Sequence, residues 1–354
     1  MTAILLIIVA GLFLAPLLGG DKAMGAGAKI CIFIVLVASF DLLLGYTGIL
    51  SFAHTMFFGI GAYGVAMVSS DAGNEYILHT VSMGQGWGSV VVGALIAALF
   101  SALLALFISI FSLRVRTIYF AMITLSVAVA VQTWCFTQTE LTGGEDGINF
   151  RVPEMISQGT KYAEPLEIFG FSLSLDGQLV AYMLMFFSAI ILFLFLLRVI
   201  NSPFGRVLQC IRDNEFRAAA IGYRVVYYRA ASSIIGAVVA CLAGSLYALW
   251  MRYQGPGATM GFNIMMDILF MVVIGGMATM YGAVVGATVM LIAQNYLQDL
   301  LKILEHEVVG IPILSGIVHP DRWLLWMGIF FIIVVYNFPW GIVGKLRMRA
   351  LGIK

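Results

Sequence analysis

Ten runs of mostly apolar residues, each close to the length of a membrane-spanning helix, fill most of this chain. A helical span needs about 20 such residues at about 1.5 Å rise each. The runs fall at 2–20, 29–50, 51–70, 88–112, 117–139, 178–200, 230–251, 264–280, 282–300 and 323–343. The stretch 264–300 is long for one span, so it divides at Gly275–Gly276 and at Gly282. The run 2–20 has no basic start and leads straight into more membrane sequence, so it reads as a first helix and not a cleaved signal peptide. The pattern predicts an all-α polytopic transmembrane helical bundle over 1–354, with about ten segments, some of them broken or re-entrant.

Composition excludes the main alternatives. Charged residues are 10% of the 354 and hydrophobic residues 62%, against roughly 25% charged in a soluble domain. A net charge of +1 gives no basic excess for nucleic acid. The four cysteines are scattered, with no C-x-x-C pair or metal spacing, and read as small packing residues. The four histidines are too dispersed for a metal site. No phosphate-binding G-x-x-x-x-G-K-[ST] occurs, and neither H-E-x-x-H nor G-x-S-x-G. The chain is expected to be no enzyme and to hold no cofactor of its own.

Lys and Arg place the ends, because they stay on the cytoplasmic side. The tail carries Lys345, Arg347, Arg349 and Lys354; the stretch 198–229 carries six arginines; Arg114 and Arg116 share a short turn. With these regions inside, an even number of spans puts both termini in the cytoplasm, and Lys and Arg divide 12 inside to 7 outside. Two loops then stand out: an extracytoplasmic loop at 140–177 and a cytoplasmic segment at 201–229.

Ser202-Pro203 is a helix start signal and Gly222 a stop. Between them Val207, Leu208, Ile211, Phe216, Ala219 and Ala220 fit one apolar side at roughly helical spacing, with Arg206, Arg212, Asp213 and Arg217 opposite. Such a helix either lies on anionic lipid or acts as a lever seated in a partner's groove. The small residues Ala218–Ala220 and the sharp stop favour the lever, with Arg212, Asp213, Glu215, Phe216, Ala219 and Gly222 as coupling candidates.

Gly45–Gly64 is Gly-rich and carries Thr47, Ser51, His54 and Thr55 in an apolar setting. Broken helices in transporters expose backbone to substrate near the membrane midplane, which makes Thr47, Ser51 and His54 pathway candidates. The alternative is that the glycines serve close packing and a neighbour satisfies His54. Gly59, Gly61 and Gly64 spell G-x-G-x-x-G, but no strand precedes them, so a dinucleotide site is rejected. Leu141–Ile148 reads as a tight turn. Gly143, Gly144, Glu145 and Asp146 there are an ordinary surface turn or a gate for something delivered from outside. Asp41 and Asp267 are ionisable residues in or near spans, functional by default unless they reach water at a helix end. Gly282 and Gly286 form a G-x-x-x-G that lets helices approach. A second Gly-rich break at 275–286 suggests an internal inverted repeat with the break at 45–64.

Five blocks in order along the chain resemble the bacterial branched-chain amino acid ABC-transporter permeases of the LivM type. Gly45–Tyr63 is similar to the family's G-x-x-G-x-L-S-x-G-H…F-F-G-I-G-A-Y. Leu141–Ile148 is similar to its L-T-G-G-x-x-G-L, and Ser202–Gly222 to its S-P-F-G-R…I-R-D-N-E…A…G. Ile274–Ala287 resembles its G-G-x-G-x-x-x-G-P-x-x-G-A, and Phe338–Gly344 its P-x-G-L-x-G. Departures occur at Ala53, Asp41, Ala278, Ala283, Asn337 and Trp340. Ala278 stands where glycine is expected, and Asp41 where an amide or small polar residue is usual.

The resemblance implies a permease subunit in the bacterial inner membrane, paired with a second permease of the LivH type. Two cytoplasmic ATPase subunits, binding ATP and Mg, would dock on the inner helices. A periplasmic or lipid-anchored binding protein would deliver leucine, isoleucine or valine, or a related urea, amide or carboxylic acid, for inward movement by alternating access. The rival reading is a stand-alone channel or ion-coupled secondary transporter for a small polar solute, which would need no docking at Glu215–Gly222.

Overall fold

The computed structural model describes residues 2–18, 20–69, 86–112, 117–157, 160, 166–168, 171–173, 176–307, 319 and 322–350. Arg114, Arg116 and the last four residues lie outside them. Helices occupy all ten apolar runs: α1 (Thr2–Leu18), α2 (Gly20–Asp41), α3 (His54–Ser69), α4 (Trp87–Ser112), α5 (Thr117–Thr137) and α6 (Gly177–Asn201), then α7 (Pro203–Asp213), α8 (Glu215–Ala220), α9 (Val225–Met251), α10 (Phe262–Gly275), α11 (Met280–Glu307), α12 (Trp323–Asn337) and α13 (Gly341–Ala350). The two extra helices in the middle of that order, α7 and α8, form the lever, and α13 is the tail.

Eight helices, not ten, are long and apolar enough to cross a membrane among the described residues. The two runs that fall short are the first and third. α1 has an apolar stretch of only Leu5–Pro16. α3 is 16 residues, about 24 Å, against a hydrocarbon core of about 30 Å. Nearly all of α3 is buried, so it is a core helix rather than a lipid-facing one. α2 also begins nine residues before its apolar run, and the Lys22 ammonium in that added stretch pairs with Asp299 near the far end of α11.

Glycine sets how the helices approach. In lipid, association rests on close packing rather than on expulsion of water. A Cβ at Gly61 would stand 1.8 Å from the Cys241 carbonyl oxygen, and one at Gly244 1.8 Å from that of Phe58. These reciprocal contacts make α3 and α9 parallel neighbours at touching distance, and Ser245 Oγ donates to the Gly61 carbonyl at 3.1 Å. The glycines of the rejected dinucleotide motif are thus packing residues. α10 and α11 approach in the same way at Gly286, where a Cβ would meet the Met271 carbonyl oxygen at 1.9 Å. The predicted division of 264–300 holds: α10 ends at Gly275 and α11 begins at Met280. Gly282 lies within α11.

The bundle has two distinct ends. At the loop end, β1 (Ile148–Asn149) pairs antiparallel with β4 (Tyr253–Gln254), just past α9. β2 (Leu166–Ile168) and β3 (Phe171–Leu173) form a separate hairpin in the 140–177 loop. Arg252 Nη2 donates to the Ile156 carbonyl at 2.9 Å, fixing that loop to the α9 terminus. At the lever end lie α7, α8 and both Gly-rich breaks. The breaks touch each other there: the Ala278 N–H donates to Asp41 Oδ1 at 2.9 Å.

Candidate functional site

The lever is two helices, not one. Ser202 and Pro203 start α7, with Pro203 in its first turn. Asn214 then turns extended (φ −159°, ψ 102°) and its side chain accepts the Arg217 N–H at 2.9 Å, capping α8. That single extended residue resets the helical phase. Leu208 and Ile211 on α7 are buried as expected, but Phe216, Ala219 and Ala220 fall on the outside. Ala218 takes the inner position instead, packed with Ile211 and Val225. The expectation that Ile211 and Phe216 share one docking face is therefore corrected. Ile211 is 1% exposed and Phe216 is 89% exposed.

Gly222 ends α8 as expected. At φ 101° it is left-handed, and the Gly222 N–H and Tyr223 N–H donate back to the Ala219 and Ala218 carbonyls. Beyond it, Phe216, Ala219, Tyr223 and Tyr227 line a groove of about 480 Å³. Glu215 is not free to meet a partner alone, since its Oε1 takes the Arg229 Nη1–H at 2.9 Å. Asp213 is exposed at the end of α7.

Arg212 is an exposed residue whose guanidinium reaches back to the turn after α2. Its guanidinium donates to the Gly45 carbonyl, and its stem lies against Gly48, where a Cβ would be 3.4 Å from Arg212 Cγ. Gly45 sits in the π-helical turn Leu42–Thr47 that continues α2. Gly48, at φ 71°, closes it. The first Gly-rich break thus begins at the end of a full-length helix, beside the lever.

The pathway candidates face protein. Thr47 Oγ1 donates to the Leu43 carbonyl. Ser51 Oγ accepts the Ala53 N–H at 3.4 Å. His54 Nε2 lies 2.7 Å from Ser39 Oγ, which also reaches the Leu36 carbonyl at 2.8 Å, and the Phe40 ring packs edge-on to the imidazole. All three side chains are buried. A cavity of about 600 Å³ between α3, α4 and α5 is walled by apolar groups such as Ile60, Met67, Phe100 and Trp134, and none of the three residues lines it. Sequence reasoning missed Ser39, the partner of His54, and Thr124, whose Oγ1 accepts the neighbouring Phe52 N–H at 3.1 Å. No local signal marks either residue, because each partner comes from another helix.

The loop-end turn is as expected. Gly143, Gly144 and Gly147 are all left-handed, at φ 72°, 59° and 69°. A Cβ at Gly147 would meet the Gln254 carbonyl oxygen at 2.4 Å, so the turn seats directly on β4. Glu145 and Asp146 stand exposed at its tip. Of the intramembrane acids, Asp41 is buried, and Asp267 bonds to Gln294 across the α10–α11 contact.

Comparison with known proteins agrees with this arrangement. The model of the branched-chain amino acid transport system permease component matches residues 25–335. The high-affinity branched-chain amino acid transport system permease protein LivM of Escherichia coli K12 is 24% identical over 300 residues, covering 82% of this chain and 67% of that protein. The probable LivM of Methanocaldococcus jannaschii is 24% identical over 333 residues, covering 88% and 90%. No solved structure matches. The matched region takes in both breaks, the lever, the loop-end turn and six of the eight membrane-length helices from end to end, and the chain is an integral membrane protein belonging to the branched-chain amino acid transport permease family.

Proposed function

We propose that this chain is one of two membrane subunits of an ATP-binding cassette importer that moves branched-chain amino acids inward by alternating access. Its partners are a second permease of the LivH type, two cytoplasmic ATPase subunits that bind ATP and Mg, and a periplasmic or lipid-anchored binding protein. The setting is the bacterial inner membrane, with the lever end and both termini in the cytoplasm; the 12 to 7 division of Lys and Arg supports that orientation.

The observation that carries the reading is the lever surface. Phe216 on α8, Ile221 just past its end and Tyr227 in the first turn of α9 are 89%, 65% and 67% exposed. Exposed apolar groups around a concave groove suit a protein knob, whereas a flat lipid surface suits a continuous amphipathic stripe. ATPase closure would push on α8, and the buried Ile211–Ala218–Val225 contact would carry the push to α7 and α9. The loop-end turn, with Glu145 and Asp146 at its tip, would receive the binding protein.

The test is gentle affinity purification from native membranes, followed by uptake of leucine, isoleucine, valine, urea, amides and aromatic acids in reconstituted vesicles. Recovery of two ATPase subunits and a second permease, with ATP-dependent uptake, supports the importer. Recovery of the chain alone, with uptake independent of ATP, overturns it in favour of a channel or secondary transporter.

A further inference from the structure

Asp41 is a buried carboxylate to which the importer reading gives no task. Its Oδ1 accepts the Ala278 N–H at 2.9 Å, with the Thr279 N–H adding a weaker contribution. Its Oδ2 is buried and has no hydrogen-bond partner among the described residues. A buried carboxylate keeps its charge only when cations or donors surround it, and one unmatched oxygen is a standing cost of a few kcal/mol. The cation nearest to hand is Arg212, which acts on Asp41 electrostatically but donates to the Gly45 carbonyl, one turn further along. The three groups are contiguous: a Cβ on Gly45 would stand 2.1 Å from Asp41 Oδ1 and 2.5 Å from the Ala278 nitrogen. Arginine is always charged, and its fork matches a carboxylate better than a single carbonyl.

We propose that Asp41 is the second seat of Arg212: when the lever moves, the guanidinium leaves the Gly45 carbonyl and pairs with Asp41 Oδ2. Each seat satisfies a different group, so the lever has two discrete positions instead of a continuous range. The pairing also pulls on the α10–α11 break, because Asp41 Oδ1 holds the Ala278 N–H. Movement at α7 would thus reach α10 and α11 through one carboxylate. This inference rests on the importer reading, and Asp41 and Arg212 serve as positioning residues that touch no substrate.

The test uses the assembled complex in proteoliposomes, reading uptake, ATP hydrolysis and bound ATPase subunits separately. The variants are Asp41→Asn, Arg212→Gln, Arg212→Lys and the pair Asp41→Asn with Arg212→Gln. Asparagine keeps an oxygen for the Ala278 N–H, so that variant retains the native break. Asp41→Asn and Arg212→Gln should each lower uptake roughly tenfold, within the range of known coupling energies. ATP hydrolysis and subunit association should persist. The double variant should be no worse than the worse single one, and Arg212→Lys should recover part of the uptake. Unchanged uptake in Asp41→Asn, losses that multiply in the double variant, or parallel loss of ATPase subunits would overturn the second seat. A wild-type complex without ATP-dependent uptake would instead overturn the importer reading and the inference with it, a result seen before any variant is made.

Discussion

Ser39 Oγ lies 2.7 Å from His54 Nε2, tying the body of α2 to the first turn of α3. The Ser39 hydroxyl also reaches Leu36, which makes Nε2–H the donor and leaves Nδ1 bare; the latter has no partner among the described residues. Ser39→Ala strips the imidazole of its remaining bond. Stability should fall by about 1–3 kcal/mol, the cost of a stranded buried polar group. Adding His54→Leu should restore part of the loss, since removing both partners is cheaper than removing one. Thermal unfolding of the three variants in mild detergent checks this; losses that simply add would show that the pair does not interact.

Gly61→Val should prevent the α3–α9 approach. Its Cβ would enter the Cys241 carbonyl, a backbone atom that cannot rotate away. Overpacking at such a site costs about 1–3 kcal/mol or more. Gly257→Ala, where a Cβ meets nothing within 4 Å, is the control. The expected outcome is a lowered unfolding temperature and poor membrane yield for the first and near wild-type behaviour for the second.

Phe216 and Ile211 should separate docking from folding. Ile211→Ala empties a buried contact with Ala218 and Val225 and should cost about 2–5 kcal/mol. Phe216→Ala removes an 89% exposed ring and should leave stability within about 0.5 kcal/mol, while reducing ATPase-subunit recovery on purification. Full recovery of those subunits with Phe216→Ala would remove this ring from the docking surface.

Ala278→Gly should be neutral or stabilising. Ala278 is left-handed at φ 60° without being glycine, which costs roughly 1–2 kcal/mol. Glycine removes that strain and adds entropy to the unfolded chain, so a gain of up to about 1 kcal/mol is expected by thermal unfolding. A clear loss would mean that the alanine methyl group packs productively.

Glu145→Gln with Asp146→Asn should leave unfolding unchanged, because both side chains are exposed at the turn tip. Uptake should weaken by raising the amount of binding protein needed for half-maximal rate. Gly147→Val should instead damage the loop itself, as its Cβ would strike the Gln254 carbonyl. Titration of binding protein into vesicles separates the two.

Several features were legible because they are local. Apolar length located a helix in each of the ten runs, eight of them membrane-length among the described residues, and Gly222 stopped α8 where a left-handed residue was needed. Gly275–Gly276 split the long stretch 264–300. The glycine that the family pattern expects at 278 also acquires a reason, since the backbone there is left-handed. Other features depended on neighbours distant in sequence. Whether α3 spans or fills the core turned on the glycine contact with α9. Whether Phe216 faces in or out turned on one extended residue, Asn214, whose capping bond breaks the helical phase.

The sequence by itself determined the solvent of this protein, its helical class, its family and the location of its helix breaks, because hydrophobic length, glycine and proline act within a few residues. Only the tertiary structure decided what those breaks touch. Gly45 with Asp41, Arg212 and Ala278 come from three places in the chain, and their contact depends on helices packed at the distances that their smallest residues allow. Hydrogen bonds and charge pairing act over a few ångströms of space, so no pattern along the chain could place them.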